Sequence, residues 1–253
     1  MGALHSGHIS LIKRAAMEND ITVVSIFVNP LQFGPAEDLE KYPRVIDEDI
    51  SKLRDEQIDI LFLPDNNLMY PEGYSTHLRI EPLSERLCGQ FRPGHFNGVA
   101  TVVAKLFNVI SPTRAYFGQK DFQQTAVINR MAKDLNFDVE IVVCPTIREQ
   151  DGLAMSSRNR YLDPAERIAA GVIFRSLNDA SEAIQSGATS GRQISDLMKK
   201  ILSGEPLISE IEYAAPYDPE TLEEAGEIKS EALLAVAVRL GTTRLIDNVL
   251  VRT

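Results

Sequence analysis

Short apolar runs that alternate with helical segments are the feature that most constrains the fold of this 253-residue chain. The runs are continuous, without a polar residue at every second position, which is typical of parallel strands buried on both faces. Strands are predicted at residues 21–28, 58–63, 115–117 and 139–143. Helices are predicted at residues 47–56, 96–110 and 122–135. We therefore expect an α/β fold with a parallel sheet that has helices on both faces.

The second half of the chain has a different pattern, which predicts a smaller α+β domain. Asp163 followed by Pro164 is typical of a helix start and opens a helix to about Gln185. A capping box at Ser190 opens a second helix, which ends near Ser203. Three strands of a small sheet are predicted at residues 210–214, 233–238 and 244–251. We place the two domains at residues 1–147 and 148–253.

Composition and charge remove several classes of function. The chain has 26 Lys and Arg against 36 Asp and Glu, a net charge of −10, and no basic block, so a nucleic-acid partner is not expected. The longest apolar runs fall short of the roughly 20 residues that cross a bilayer, and a signal peptide is missing, so we expect a cytoplasmic protein without a membrane partner. Two cysteines are too few for a disulfide scaffold or a four-thiolate zinc site.

The segment His5-Ser6-Gly7-His8 lies at a predicted helix start. Two imidazoles, backbone N–H groups and the positive end of the helix dipole at this point would suit an anion. The pair is equally typical of a zinc fragment or of an incidental surface pair. Zinc would need further ligands, and neither His77 nor His95 has a suitable spacing.

Two further segments carry groups that suit a nucleotide. Ser156, Ser157 and Arg158 offer two hydroxyls and a guanidinium, which fit phosphates, although an ordinary polar linker has the same composition. Lys120 and Asp121 follow a predicted strand, at the end where α/β sheets bind ligands. They fit a phosphate and a ribose hydroxyl, or a solvated pair at a helix start.

Uncharged amides and an acidic cluster complete the candidates. Asn29 and Gln32 follow the first strand and suit a hydroxyl or carboxylate, although Asn-Pro is also a common turn. Asp49 is a candidate magnesium ligand, whereas Asp47 is interpreted as part of a helix cap.

Five segments in this order, MGALHSGH, SIFVNPLQF, RPGHFNGV, FGQKDFQQ and MSSRNRYLD, resemble signature segments of the pantothenate synthetase family over the whole chain. The resemblance implies a nucleotidyltransferase-type Rossmann domain, a smaller C-terminal domain that closes over the site, and a homodimer. HSGH and MSSR then take the places of the HIGH and KMSKS segments of class I aminoacyl-tRNA synthetases. The family carries a further strand before the MGAL segment, so we expect that the first strand is missing here and that residues lie upstream of Met1.

The resemblance also assigns roles to individual residues. The residues implied at ATP are Met1, His5, His8, Gly118, Lys120, Asp121, Ile147, Met155, Ser156, Ser157 and Arg158. Those implied at pantoate are Gln32, Gln124 and Asn29. The catalytic set is His5, His8, Lys120 and Arg158, with Asp49 for the metal.

The implied reaction joins pantoate to β-alanine in two steps and uses ATP and Mg²⁺. A pantoyl adenylate forms with release of pyrophosphate, and the amine of β-alanine then displaces AMP. One alternative is a nucleotidyltransferase that makes a dinucleotide cofactor, which shares the HxGH segment but lacks the paired glutamines. Another is a truncated ATP-binding domain without catalytic activity.

Overall fold

The computed structural model describes residues 1–35, 37, 39–56 and 58–253. These residues form two compact units. Unit 1 comprises Met1–Glu85, Gly89–Gln119 and Gln123–Pro145. Unit 2 comprises Arg86–Cys88, Lys120–Phe122 and Thr146–Thr253. Two short segments of the first half of the chain therefore belong to unit 2, and Lys120 is in one of them.

The strands of unit 1 are parallel, as predicted. Strand β1 (Val23–Ser25) pairs with β2 (Ile60–Phe62), and β3 (Arg114–Gly118) pairs with β4 (Glu140–Cys144). In the described part of the chain the two parallel pairs form separate two-stranded sheets. Neither β1 nor β3 has a second strand partner in the described part of the chain, and the residues of β1 are consequently only half-buried.

Six helices alternate with these strands along the described first half of the chain. They are α1 (Ser6–Glu18), α2 (Ile46–Arg54), α3 (Asn66–Met69), α4 (Cys88–Phe91), α5 (His95–Ile110) and α6 (Phe122–Asp134). One core cluster consists of Leu4, Ile12, Ile26 and Leu53, so it joins the residues before α1 to β1 and α2. This packing places the start of α1 beside α2.

Helix α5 lies against the 3-10 turn Pro30–Gln32 because Gly98 has no side chain. A Cβ atom at Gly98 would lie 2.2 Å from the carbonyl oxygen of Leu31 and 2.6 Å from the backbone nitrogen of Gln32. No larger residue fits at this distance, so Gly98 sets how closely the turn that carries Gln32 approaches α5.

Unit 2 is the predicted combination of helices and an antiparallel sheet. Strands β5 (Ile208–Tyr217), β6 (Glu231–Leu240) and β7 (Thr243–Arg252) pair in the order β5-β6-β7. Helices α8 (Gly171–Gln185) and α9 (Gly191–Ser203) pack on this sheet through a shared apolar core. β6 is the central strand, and most of its side chains are buried.

The single helix predicted from residue 163 to about 185 is wrong in one respect. The chain forms α7 (Pro164–Ala169), which begins at the predicted cap Asp163, and then α8 as a separate helix. The backbone N–H of Ile173 donates to the carbonyl of Ala170, three residues back, which interrupts the regular hydrogen-bond ladder.

No helix in the described part of the chain is long and apolar enough to span a membrane.

Candidate active site

The two histidines of the HSGH segment cap helix α1 reciprocally. His5 is the N-cap, and its Nδ1 accepts a hydrogen bond from the backbone N–H of Gly7 at 3.2 Å. His8 is the third residue of the helix, at position N3, and its Nδ1 accepts from the backbone N–H of His5 at 3.3 Å. Because a neutral imidazole accepts at one nitrogen and donates at the other, each ring carries its proton on Nε2. Both rings therefore offer an Nε2–H donor at a helix N-terminus.

The turn before α1 is held by two side chains of α2. Gly2 and Ala3 both have positive φ angles, +82° and +51°. The Asp49 carboxylate accepts from the backbone N–H groups of Ala3 and Leu4, both at 2.7 Å, and Lys52 Nζ donates to the carbonyl of Leu4 at 2.7 Å. Positive φ angles turn successive N–H groups toward one point, so Asp49 fills an anion nest built by the backbone.

The hydrogen bonds to the backbone use the same carboxylate oxygens of Asp49 that the predicted magnesium site would need. Asp49 is 1% exposed, and each of its oxygens already accepts a backbone hydrogen bond. Among the described residues, no group of three or more His, Cys, Asp or Glu side chains could hold a metal ion. The assignment of Asp49 to magnesium stays a prediction.

Asn29 is buried and orients Gln32. Its Nδ2 donates to Oε1 of Gln32 at 3.2 Å and to the carbonyl of Gly98 at 3.1 Å. Its Oδ1 accepts from Tyr70 Oη at 2.7 Å and from the backbone N–H of Leu31. Both N–H donors of Asn29 are thus used inside the protein. Gln32 is also buried, and its Nε2 donates to Met1 Sδ at 2.6 Å.

The segment Arg92-Pro93-Gly94-His95 supports the same turn. Arg92 forms two hydrogen bonds of 2.7 Å with the Glu37 carboxylate. His95 Nδ1 lies 2.7 Å from the carbonyl oxygen of Gln32, which only accepts, so Nδ1 carries the proton. The His95 Nε2 then accepts from Arg92 Nη1 at 3.0 Å. Arg92 and His95 therefore hold the main chain at Gln32.

Burial acts to raise the pKa of the Glu37 carboxyl, but the Arg92 guanidinium, His95 and the Gly34 backbone N–H hold it below its ordinary value of 4.5. Glu37 is not among the residues predicted from the sequence. Its pairing with Arg92 is visible only in the three-dimensional structure, because 55 residues separate the two side chains in the sequence.

The second group of predicted residues lies in unit 2. Lys120 and Asp121 are in a 3-10 turn, with Lys120 Nζ 3.7 Å from Asp121 Oδ1. The backbone N–H of Met155 donates to the carbonyl of Ile147 at 2.9 Å, which brings these two predicted ATP residues together. Ser156 then caps the 3-10 helix Ser157–Tyr161, and its Oγ accepts from the backbone N–H of Arg158.

The predicted residues thus form two sets. Unit 1 contains Met1, His5, His8, Asn29, Gln32, Asp49, Gly118 and Gln124. Unit 2 contains Lys120, Asp121, Ile147, Met155, Ser156, Ser157 and Arg158. Gly118 ends β3 opposite Cys144, and Gln124 is half-buried on α6. The individual ligand roles stay predictions.

Parallel strands, helices and a histidine-capped helix N-terminus define an α/β protein of the class that binds anionic groups such as phosphates. Comparison with known proteins specifies this class further. The family described as pantoate-beta-alanine ligase matches residues 1–250, and the chain belongs to this family. The resemblance inferred from the five segments is therefore confirmed.

Named relatives and solved structures agree with this family. The chain is 59% identical over 251 residues to the pantothenate synthetase of Thermodesulfovibrio yellowstonii, covering 99% of this chain and 89% of the relative. It superimposes on pantothenate synthetase from Thermus thermophilus with a TM-score of 0.95 and 46% identity, covering 98% and 90% of the two chains. A pantoate-beta-alanine ligase from Francisella tularensis, complexed with beta-gamma ATP and beta-alanine, gives a TM-score of 0.80 and 34% identity, with 99% and 87% covered.

Proposed function

We propose that this chain is an ATP-dependent ligase that condenses pantoate with β-alanine to give pantothenate, AMP and pyrophosphate. The observation that carries the proposal is the family match over residues 1–250. The solved relative in complex with ATP and β-alanine supports two of the three substrates. The reciprocal cap of His5 and His8 supports anion binding at the start of α1.

In the first step, a pantoate carboxylate oxygen attacks the α-phosphorus of ATP. A new P–O bond forms as the bond to the β-phosphate breaks, and pyrophosphate leaves with the electron pair. Negative charge shifts toward the leaving oxygen, so donors already aimed at it lower the barrier. We assign this role to the Nε2–H groups of His5 and His8, the ammonium of Lys120 and the guanidinium of Arg158. Ser156 and Ser157 contribute hydroxyl donors to the same phosphates.

The same proposal assigns pantoate to Gln32 and Gln124. Asn29 occupies Oε1 of Gln32 and Met1 Sδ accepts from its Nε2, so we assign the second Nε2–H of this side chain to a carboxylate or hydroxyl of pantoate. A fixed donor orients the attacking carboxylate, which reduces the entropy that the reaction must lose. Asn29 acts here by orienting Gln32. Gly118 and Asp121 are assigned to the ribose, and Met1, Ile147 and Met155 to the rest of ATP.

In the second step, the neutral amine of β-alanine attacks the acyl carbon of the pantoyl adenylate. A C–N bond forms, the C–O bond to AMP breaks, and the amine loses a proton. The scheme needs no protein nucleophile, because the mixed anhydride is already activated. Catalysis then consists of positioning and charge stabilisation.

Four further features are proposals that rest on the family resemblance. These are a requirement for Mg²⁺, a homodimer, a cytoplasmic location, and the division into an ATP- and pantoate-binding domain at 1–147 and a lid at 148–253. The described residues do not supply a three-ligand metal cluster, so we route no step through the metal.

Isotope exchange between ATP and pyrophosphate tests the proposed function. We expect exchange that requires pantoate and Mg²⁺ and proceeds without β-alanine, because adenylate formation precedes entry of the amine. Exchange that requires a mononucleotide in place of pantoate would support the dinucleotide-forming alternative. ATP binding without exchange would support the non-catalytic alternative, and an obligatory requirement for β-alanine would contradict the two-step scheme.

A further inference from the structure

Two adjacent polar residues on β7, Asp247 and Asn248, are buried in unit 2 although the strand around them is largely apolar. Asp247 is 3% exposed and Asn248 is 4% exposed. Burying a carboxylate and an amide is costly unless both are hydrogen-bonded, so their partners are informative. Asp247 binds the segment that leads to residues 155–158, and Asn248 binds the turn that contains Lys120.

Asp247 binds Arg148 in a two-point ion pair. Arg148 Nη1 donates to Asp247 Oδ2 at 2.6 Å, and Nη2 donates to Oδ1 at 3.1 Å. The guanidinium also donates to the carbonyl of Gly152 at 2.9 Å and stacks on the ring of Phe174 at 4.2 Å. Arg148 is therefore fixed on several sides, and Asp247 supplies its counter-charge.

Arg148 belongs to a hairpin that leads into the MSSR segment. Arg148 pairs with Ala154 in an antiparallel bridge, and the N–H of Glu149 donates to the carbonyl of Leu153 at 2.8 Å. The next residue, Met155, bonds back to Ile147. Fixing Arg148 therefore fixes the point from which residues 155–158 begin.

Asn248 reaches the other segment. Its Nδ2 donates to the backbone carbonyl of Lys120 at 2.9 Å, across 128 residues of sequence. The same bond orients the 3-10 turn from which the Lys120 side chain extends, and that side chain is 19% exposed. The direction of the Lys120 ammonium thus depends on a side chain of β7.

We propose that Asp247 and Asn248 are positioning residues that hold Lys120 and the Met155–Arg158 segment in one rigid arrangement. The inference rests on the proposed function, because it concerns groups assigned there to the phosphates of ATP. Neither residue contacts substrate in this scheme. They act through Arg148 and through the main chain at Lys120, and a displacement of about 1 Å at such groups is enough to cost on the order of 10²-fold in rate.

The main test replaces Asn248 by alanine in the full chain. We expect kcat for pantoate-dependent exchange to fall about ten- to a hundredfold, with little change in the KM for pantoate. Asn248→Ser, which is polar but too short to reach Lys120, is expected to show the same loss. Arg252 lies on the same strand as Asn248 and forms an ion pair with Glu231 of β6; Arg252→Ala removes this pair and serves as the control with unchanged kinetics.

A double-mutant cycle separates positioning from a general structural effect. If Asn248 acts through Lys120, then Asn248→Ala has no further effect on exchange in a Lys120→Ala background. A structural defect elsewhere would reduce exchange by the same factor in both backgrounds, and this result would overturn the inference.

Asp247 is tested with Asp247→Asn, which keeps the shape but removes the counter-charge of Arg148. We expect a lower kcat and a higher KM for ATP, because the hairpin that leads to residues 155–158 loses its anchor. Kinetics within twofold of the wild type in folded Asp247→Asn and Asn248→Ala would overturn the inference. Loss of folding in Asn248→Ala and Asn248→Ser alike would also overturn it, since the residue would then serve stability. A wild-type chain without exchange would instead refute the proposed function.

Discussion

The backbone N–H of His5 donates to Nδ1 of His8 at 3.3 Å, so the second histidine of the HSGH segment is a capping residue of the helix that it belongs to. The same relationship fixes the tautomer of the ring, with its proton on Nε2. The proposed function assigns the Nε2–H of this neutral ring to phosphate. In that proposal one imidazole completes the helix cap with one nitrogen and contacts the anion with the other.

Two substitutions of His8 separate these functions. His8→Asn keeps an acceptor near the position of Nδ1 but has nothing at Nε2, so we expect normal thermal stability and a 10²- to 10³-fold loss of exchange. His8→Gln places an amide nearer to Nε2 and weakens the cap, so it should lose about 1 kcal/mol of stability and retain more exchange. Thermal melts and exchange rates measure both effects. The reverse order of activities would show that the cap is the main function of His8.

The role of Asp49 is decided by a magnesium titration. If Asp49 fills the nest formed by Ala3 and Leu4, Asp49→Asn should reduce exchange and cost about 1–3 kcal/mol of stability, because the new amide NH2 then faces one of the two backbone N–H groups. The Mg²⁺ concentration at half-maximal rate should not change. Asp47→Asn, at an exposed residue of the same helix, is the control. A large shift of the Mg²⁺ midpoint with unchanged stability would favour the metal-ligand role instead.

Gly98→Ala should displace the Gln32 turn. The new Cβ would lie 2.2 Å from the Leu31 carbonyl oxygen, and a contact this short forces α5 or the turn to move. We expect a raised KM for pantoate and a loss of stability of about 1–3 kcal/mol, as for overpacking of a core. Gly226→Ala, where a Cβ has no neighbour within 4 Å, is the matched control. A normal KM for pantoate in folded Gly98→Ala would mean that Gln32 does not bind this substrate.

Lys120→Ala should lower adenylation by about 10²- to 10³-fold, the loss expected for one preorganised charge contact to a transition state. Its fold should survive, because the ammonium is not part of the apolar core clusters. Pantoate-dependent exchange and a thermal melt of the same preparation measure the two quantities. Near-normal exchange in the folded variant would show that the lysine serves the local turn with Asp121 only.

The sequence predicts the secondary elements well where apolar periodicity is strong. Strands β3 and β4 and helix α5 lie within about two residues of their predicted positions, and the N-cap at Asp163 is observed. The break at Ala170 is not predicted, although Gly171 follows it directly, because a single Gly inside a helical pattern does not by itself end a helix.

In the candidate site, too, features within one short segment can be predicted from the sequence, whereas contacts between distant residues cannot. The chemistry of HSGH is visible in four consecutive residues, but the orientation of its rings follows from the geometry of the cap. Asn29 is predicted to bind substrate, whereas its partners Gly98 and Tyr70 lie 69 and 41 residues away and cannot be identified from the segment itself. Asp247 and Asn248 are missed because two polar residues between apolar neighbours on a strand do not reveal which distant groups they contact.

The pH dependence of stability tests the network at Gln32. The pKa of Glu37 in the folded protein lies below its ordinary value of 4.5, since Arg92 and His95 favour the carboxylate despite its burial. The ion pair therefore stabilises the fold fully above pH 4.5, and this contribution is lost as the pH falls through the lowered pKa. We expect the wild type to be more stable than Glu37→Gln at neutral pH and this advantage to shrink in acid. Urea unfolding of both proteins over this range measures it, and a difference that stays constant or grows below pH 4.5 would contradict the assigned ion pair.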